Sequence, residues 1–275
     1  MSSLRENLKS VLRTLGLLPL CRRVRDHFRR SARIRLARRE GLADAFPTPA
    51  GELIDLTIAT EDPYEYYAGG KRAFDNICDT LASAGVDRNG LREILDFGCG
   101  CGRVLRRWHP LTGKLHGTDY NPRLTAFDKN AFPFARIATN GLYPPLEYAD
   151  SQFGFVYQFS VFTHLTLDCQ KQWMAEFHRI LRPGGMLFFT TQGEHFLNHR
   201  PFITEEMKER FRRDGFFMLE ENREGENACG AFHSREFVER ELLEDRWELL
   251  RFSSGGGTGV PGQDIYLVRS RKAIS

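Results

Sequence analysis

The sequence of 275 residues predicts an α/β fold in which a mostly parallel sheet carries helices on both faces. Two observations support this prediction. Short apolar runs alternate with helical stretches between residues 92 and 191, which is the pattern of strands joined by crossover helices. A glycine-rich turn at 253–262 then separates two further strand-like runs, so the last strand is expected to pair antiparallel in a hairpin.

The central elements follow from the spacing of apolar residues. Trp173, Phe177 and Ile180 share one face of a helix because they recur at helical spacing, whereas residues 92–97 form a short apolar run typical of a buried strand. Strands are expected at 92–97, 114–119, 135–139, 153–160 and 186–191, and helices at 71–84, 103–108, 122–130 and 168–181.

The two ends of the chain are less regular. Residues 54–67 contain Asp62-Pro63 and three tyrosines, and they are expected to form a loop with short helical pieces. Helices at 204–213 and 234–243 and strands at 247–252 and 264–268 are expected in the last third. The predicted organisation is a basic helical N-terminal extension, 1–50, and one domain, 51–275, with a lid-like insertion at about 196–232.

Charge is distributed unevenly along the chain. Residues 1–40 contain twelve Lys and Arg and three acids, a formal charge of +9, whereas the whole chain carries +3 and the remainder therefore −6. Three interpretations of this basic arm remain open: a solvated helix pair packed on the domain, an interfacial helix on anionic lipid, and a contact with RNA or DNA. Lipid is favoured over nucleic acid because leucines dominate the apolar face, so no nucleic-acid partner is expected.

Cysteine usage and hydropathy bound the class of protein. The six cysteines form no Cys-x-x-Cys pair and no other metal-ligand spacing, so we expect no metal site and the reduced thiols of a cytoplasmic protein. No apolar run approaches the length of a membrane span, and Gly16 and Pro19 interrupt the apolar patch at 15–20. Membrane association is therefore expected only as peripheral contact through residues 1–40. The sequence does not indicate the oligomeric state.

The most informative stretch is the turn after the first predicted strand. Glycines occupy every second position, at Gly98, Gly100 and Gly102, before a helix begins. Glycine lets the backbone turn sharply and lets a ligand lie against the main chain. A dinucleotide-binding turn would place its third glycine at the position of Arg103, so the spacing argues against NAD or FAD. The missing P-loop lysine argues against an NTPase.

Segment 94–103 resembles motif I of the class I S-adenosylmethionine (SAM) dependent methyltransferases. The resemblance implies a Rossmann-like, seven-stranded sheet. It also implies that Gly98, Gly100 and Gly102 border the methionine and ribose parts of SAM. Asp96 resembles the acidic strand residue of the motif, which helps shape the loop and reaches the amino group of SAM through water.

Later motifs extend the resemblance over about residues 65–195. Asp119 ends the second predicted strand about 20 residues after the loop, where a carboxylate can accept hydrogen bonds from both ribose hydroxyls. The resemblance places the ribose acid at this position. Tyr120 is then expected along the adenine, and Asn140-Gly141 is expected to face the adenine amino group.

Two further positions bear on the resemblance. The Arg-Pro-Gly-Gly turn at 182–185 matches the family's turn before the fifth strand, whereas Gly154 stands where the family usually has an acid. No carboxylate is therefore expected in that turn. Ligands of open α/β sheets bind beyond the carboxyl ends of the strands, so Phe159, at the end of the fourth predicted strand, is expected near the sulfonium.

Candidate acceptor-side residues lie beyond the fourth predicted strand. His164 is the candidate general base because imidazole titrates near neutrality, and the alternative is a histidine that caps or orients the next helix. His195, His233, Asp264 and Tyr266 are candidate substrate contacts. For each of these four, a surface or packing role is the alternative.

These motifs together predict methyl transfer from SAM to a hydroxyl, or an amine, of a small-molecule or glycan-type acceptor, with S-adenosylhomocysteine as product. An enzyme acting on RNA or protein is one alternative. The chain lacks the Asn-Pro-Pro-Tyr or Asp-Pro-Pro-Tyr motif of amino-methylating nucleic-acid enzymes, which disfavours that alternative. A SAM-binding module without catalysis is the other alternative.

Overall fold

The computed structural model describes residues 18–110, 114–220, 224–225, 229–256 and 262–273. The α-helices are α1 (Leu18–Arg39), α2 (Gly51–Ile58), α3 (Pro63–Ser83), α4 (Pro122–Ala131), α5 (Leu167–Ile180), α6 (Glu194–Asn198), α7 (Glu205–Asp214) and α8 (Arg235–Val238). The strands are β1 (Ile94–Phe97), β2 (Leu115–Asp119), β3 (Ala135–Thr139), β4 (Phe153–Tyr157), β5 (Leu181–Gln192), β6 (Phe216–Leu219), β7 (Gly230–His233), β8 (Trp247–Ser253) and β9 (Gln263–Ser270).

The sheet is mostly parallel, as predicted. Strands β3, β2, β1, β4 and β5 lie side by side in that order and pair in parallel. Strand β9 pairs antiparallel with β5, and β8 pairs antiparallel with β9, which confirms the predicted C-terminal hairpin. The chain runs outward in one direction from β1 to β3 and then returns to β4, so a crevice opens between the carboxyl ends of β1 and β4.

The prediction of seven strands was too low, because the described residues form nine strands in one sheet. The seven expected strands are present. The two additional strands, β6 and β7, form an antiparallel hairpin inside the stretch predicted as a lid, and β7 joins β5 at one register position, Gln192↔Phe232. Phe217 and Phe232 stack face to face with their ring centroids 4.5 Å apart, so apolar burial stabilises the hairpin.

Helices cover both faces of the sheet, and side chains alternate between the two cores. Phe97 and Val156 face the side of α5, where they pack in a cluster with Phe177. Ile94, Phe155 and Tyr157 face the side of α3 and α4, in the second cluster. This alternation follows from the two-residue period of a strand.

The segment predicted as a loop with short helical pieces is two helices. The first, α2, ends at Ile58, and Ala59 takes the left-handed conformation at φ 54°. Asp62 then accepts a hydrogen bond from the backbone N–H of Tyr64 at 2.9 Å, and Pro63 opens α3. An Asp cap followed by proline starts a helix, but Asp-Pro also marks turns, and this ambiguity explains the wrong prediction.

Helix α1 is joined to the body through its C-terminal half. Ala37 is fully buried in a cluster with Ile54 and Tyr66, and Arg33 pairs with Asp62 at 2.6 Å. The predicted helical pattern of Leu4 to Leu15 lies outside the described residues. The division into 1–50 and 51–275 stays a prediction. In the part of the chain that is described, no helix is long and apolar enough to cross a membrane.

Candidate active site

The glycine loop after β1 requires its glycines at all three positions. Gly98, Gly100 and Gly102 have φ values of 70°, 58° and 73°, in the left-handed region. A Cβ atom at Gly100 would lie 2.4 Å from Cγ2 of Thr57. A Cβ atom at Gly102 would lie 2.1 Å from the ring of Phe132, so this glycine packs into the core beneath the loop rather than lining a cleft.

A cleft of about 280 Å³ lies at the carboxyl ends of β1, β2 and β4. Most of the predicted cofactor residues line it: Gly98, Gly100, Asp119, Tyr120, Asn140, Gly141 and Phe159. The predicted base His164 also lines it. Sequence reasoning missed several apolar walls of this cleft, among them Leu56, Leu124, Leu142 and Trp173, because they come from four separate segments and carry no motif.

Asp119 connects β2 to the glycine loop. One carboxylate oxygen accepts a hydrogen bond from the backbone N–H of Gly100 at 2.9 Å, and the other accepts from that of Asn121 at 2.8 Å. The side chain is 6% exposed, and burial raises the pKa of its carboxyl group. Each carboxylate oxygen has a second lone pair, so two hydroxyl groups of a ribose can still donate to it.

Asn140 and Tyr120 lie at the rim of the same cleft. The amide oxygen of Asn140 accepts a hydrogen bond from the hydroxyl of Thr118 at 2.6 Å, which fixes the orientation of the amide. The Tyr120 hydroxyl donates to the backbone oxygen of Gly225 at 2.8 Å. The backbone N–H of Gly225 donates to the backbone oxygen of His164 at 2.7 Å, so Gly225 connects Tyr120 and His164 across the cleft.

Asp96 is a buried carboxyl group beside the loop. It is 4% exposed and accepts a hydrogen bond from the hydroxyl of Tyr157 at 2.8 Å. That hydroxyl in turn accepts from the indole N–H of Trp108 at 2.9 Å. Burial raises the pKa of Asp96 to about 7, which the hydrogen bond from Tyr157 only partly offsets. A cationic ligand group would restore the ionised form.

A second cleft, of about 840 Å³, adjoins the first. The two share Thr57, Gly98, Phe159, Ser160 and His164 as lining residues. Their junction therefore lies at the end of β4, where Phe159 was predicted to approach the sulfonium.

Ser160 is held at this junction in an uncommon conformation. Its φ is 59°, in the left-handed region, which costs a non-glycine residue conformational energy. Its backbone N–H donates to the hydroxyl of Thr190 at 2.9 Å, and its own hydroxyl accepts from the side-chain amide of Gln263 at 2.7 Å. Gln263 lines the larger cleft, so β9 contributes to the acceptor side.

His164 lines both clefts. Nδ1 lies 2.9 Å from the backbone oxygen of Cys229. A carbonyl oxygen can only accept, so Nδ1 carries a proton, and in the neutral imidazole the lone pair is then on Nε2. This is the tautomer that a general base needs.

Two guanidinium groups converge in the larger cleft. A Cβ atom placed on Gly69 would lie 3.8 Å from Nη1 of Arg103 and 3.8 Å from Nη2 of Arg72. Arg103 donates to the backbone oxygen of Gly69 at 3.3 Å, and burial lowers its pKa. Arg72 lies 3.6 Å from a carboxylate oxygen of Glu65. Two cations this close favour an anionic group between them.

Two of the predicted substrate residues lie in the interior. Tyr266 is fully buried and stacks on Phe189 with a centroid distance of 4.9 Å. His233 is fully buried, its Nε2 lies 2.8 Å from the side-chain oxygen of Gln170, and burial lowers its pKa to about 3. Neither lines a cleft, so the packing alternative describes their placement.

The other two predicted substrate residues also lie outside both clefts. Asp264 is 3% exposed and accepts from the backbone N–H of Gly255 at 2.9 Å. His195 is exposed and stacks on His199 at 4.1 Å. Side chains alternate between the two faces of the sheet along β9. Gln263 faces the larger cleft, so its neighbour Asp264 points to the opposite face.

Comparison with known proteins identifies the fold and the domain. Residues 95–189 match a family model described as a methyltransferase domain. A SAM-dependent methyltransferase from Mesorhizobium loti shares 15% identity and a TM-score of 0.53, over 71% of this chain and 99% of that chain. A putative one from Listeria monocytogenes shares 11% identity and a TM-score of 0.54, over 74% and 100%.

A third similar structure is the putative methyltransferase of Haloferax volcanii, in complex with its Trm112 activator. It shares 13% identity and a TM-score of 0.51, over 77% of this chain and 95% of that chain. At such identities the likeness to solved structures is one of fold.

The fold, the glycine loop and the carboxylates at the ends of β1 and β2 define an enzyme that binds a nucleoside cofactor at the switch point of an α/β sheet. The match makes the class specific for residues 95–189, which form a methyltransferase domain, and the fold is that of the SAM-dependent methyltransferases, whose cofactor is SAM.

Proposed function

We propose that this enzyme transfers the methyl group of SAM to a hydroxyl, or less favourably an amine, of a small-molecule or glycan-type acceptor. The observation that carries the proposal is His164, which lies at the junction of the two clefts with its tautomer set by the oxygen of Cys229. A hydroxyl nucleophile loses a proton during transfer, and a neutral imidazole at this place can accept it.

The residues present fit SAM from end to end. In this proposal Asp119 accepts from the ribose hydroxyls, and Asn140, Gly141 and Tyr120 border the adenine; the support is that all four line the same cleft. Gly98 and Gly100 line the smaller cleft with their main chain, while the side chains of Val161 and Thr57 pack against the two glycines. When bound, SAM supplies an electrophilic methyl group on a sulfonium.

The methionine part of SAM carries an ammonium and a carboxylate, and the larger cleft offers a partner for each. Asp96 is a buried carboxyl group that a cation would ionise. Arg103 and Arg72 converge at Gly69 and favour a carboxylate. These three charges occupy the part of the cleft nearest the glycine loop, which leaves the walls at Phe196 and Gln263 for the acceptor.

Catalysis then rests on orientation and proton removal by residues of this chain. Ser160 and Gln263 are hydrogen-bonded to each other where the clefts meet, so they can orient an acceptor hydroxyl. His164 Nε2 takes its proton. Orientation of reacting groups and general-base catalysis each lower the barrier without a covalent enzyme intermediate.

The experiment is calorimetric titration of SAM and S-adenosylhomocysteine, followed by measurement of S-adenosylhomocysteine release with sugars and phenols, and with RNA and protein, as acceptors. Binding with turnover on hydroxylated small molecules is expected. Binding with turnover only on RNA or protein would move the acceptor to the alternative class. Binding without turnover on any of them would favour a SAM-binding module.

A further inference from the structure

The first half of α1 exposes an apolar stripe. Leu20, Val24 and Phe28 are 57%, 47% and 65% exposed, and they are spaced four residues apart, so they share one face of the helix. At 1.5 Å per residue the stripe runs for about 12 Å. Apolar side chains aligned in this way mark an interaction surface more often than isolated ones do.

Cations flank this stripe. Arg23, Arg25 and Arg29 are exposed on the same half of the helix, and Arg38 and Arg39 are exposed at its end. Asp26 is the acid within this half, paired with Arg25 at 3.0 Å. The rest of the chain, residues 41–275, carries a formal charge of −6, so residues 1–40 are a basic segment of an otherwise acidic protein. Such a helix complements a surface whose outer layer is anionic and whose interior is apolar.

The helix is fixed to the rim of the larger cleft. The guanidinium of Arg33 lies 2.6 Å from Asp62 and 3.9 Å from Glu65, and it stacks over the ring of Tyr64 at 4.5 Å. Glu65 lines the larger cleft. Binding of a surface to the apolar stripe therefore brings the mouth of the larger cleft close to that surface.

We propose that the stripe of Leu20, Val24 and Phe28 inserts into the headgroup region of an anionic lipid bilayer, with the flanking arginines on its phosphates. Nucleic acid would use the arginines but leave the apolar stripe in water. A second copy of this chain would set two cationic helices against each other. Lipid is the partner that satisfies both features of the helix.

The test is co-sedimentation of the full chain with vesicles of phosphatidylglycerol and, separately, of phosphatidylcholine. Binding to phosphatidylglycerol alone is expected. Replacing Leu20, Val24 and Phe28 together by Ser should weaken it by about tenfold or more, because the inserted apolar area is lost. Arg25→Gln with Arg29→Gln should weaken it by about 30-fold.

The matched control is Arg38→Gln with Arg39→Gln, which removes the same charge from the other end of the helix and should weaken binding by less than about threefold. Unchanged affinity for S-adenosylhomocysteine verifies that each variant is folded. The proposal fails if phosphatidylglycerol vesicles do not bind, or if the two arginine pairs behave alike. It also fails if the stripe variant binds as well as the parent. Tighter binding to an RNA oligonucleotide, or dimerisation through the stripe, would also overturn it.

Discussion

The cofactor side and the acceptor side of this enzyme are built differently. The central polar residues of the cofactor side are close in sequence, although its apolar walls are not: Asp96, the glycine loop and Asp119 lie within one strand–turn–strand unit, and Gly100 and Asp119 are joined directly at 2.9 Å. The acceptor side is assembled from distant segments, since Ser160 meets Gln263 across 103 residues. Local geometry can therefore specify the first region, whereas the second exists only once the sheet has formed.

The largest expected effect is on the glycine loop itself. Gly102→Ala combines a left-handed backbone with a Cβ atom 2.1 Å from the Phe132 ring, and we expect a loss of about 4 kcal/mol in the free energy of unfolding. Gly184→Ala is the control, because Gly184 has φ 70° and open space around it. The control should cost about 1–2 kcal/mol. Urea denaturation measures both, and equal losses would show that the contact with Phe132 contributes nothing.

The next effect separates the two sides by chemistry. His164→Ala should lower kcat by about 100-fold while the affinity for SAM survives, because the role proposed for His164 is proton removal rather than cofactor binding. His164→Asn keeps a donor for the oxygen of Cys229 but has no base, so it should be as slow as the alanine variant. Steady-state kinetics measures kcat, and calorimetry measures the affinity for SAM. Full activity of the asparagine variant would identify the histidine as a helix-orienting residue.

A third variant compares two buried carboxylates. Asp119→Ala should weaken SAM binding by about 30-fold, because charge-assisted hydrogen bonds to the ribose are lost. Asp264→Ala is the matched control, since Asp264 is equally buried and also accepts from a backbone N–H but lines neither cleft. Calorimetry with SAM should show less than a twofold change for the control. A comparable loss in both would place Asp264 in the site after all.

The smallest predicted effect depends on pH. The pKa of Asp96 is raised to about 7 by burial, so the ionised form that binds an ammonium group decreases as pH falls through 7. SAM affinity should fall by about tenfold between pH 7.5 and 6.0. Asp96→Asn should remove this dependence. A pH profile shared by the parent and the variant would assign the titration to another group.

The raised pKa of Asp96 also makes the folding stability depend on pH. The sign of this dependence is opposite to that of a carboxylate paired with a cation. A folded pKa above the unfolded value means that the folded state binds the proton more tightly. The ligand-free protein should therefore lose stability as pH rises from about 4 to 7, and Asp96→Asn should lessen that loss. In the proposed mode of binding, the ammonium group of SAM pairs with the Asp96 carboxylate, so bound SAM should offset this penalty.

The sequence alone determined the parallel sheet, the hairpin of β8 and β9, and the placement of the cofactor residues Gly98, Gly100, Asp119 and Asn140 along one cleft. These follow from strand periodicity and from a turn whose glycines have no substitute, and both are properties of neighbouring residues. The roles assigned to these residues stay predictions that the variants above test.

Only the tertiary structure decided which residues of separate segments meet in the larger cleft. Arg72 and Arg103 converge because α3 packs closely on Arg103 at Gly70, where a Cβ atom would lie 2.2 Å from the backbone oxygen of Arg103. Gln263 reaches the cleft because β9 lies in register with β5. Asp264 and Tyr266 are candidate substrate contacts from sequence, with packing as the alternative, and they point to the other face of the same strand, since one residue of register reverses every side chain. The nine-stranded sheet likewise needed the packing of Phe217 on Phe232, a contact that no local pattern specifies.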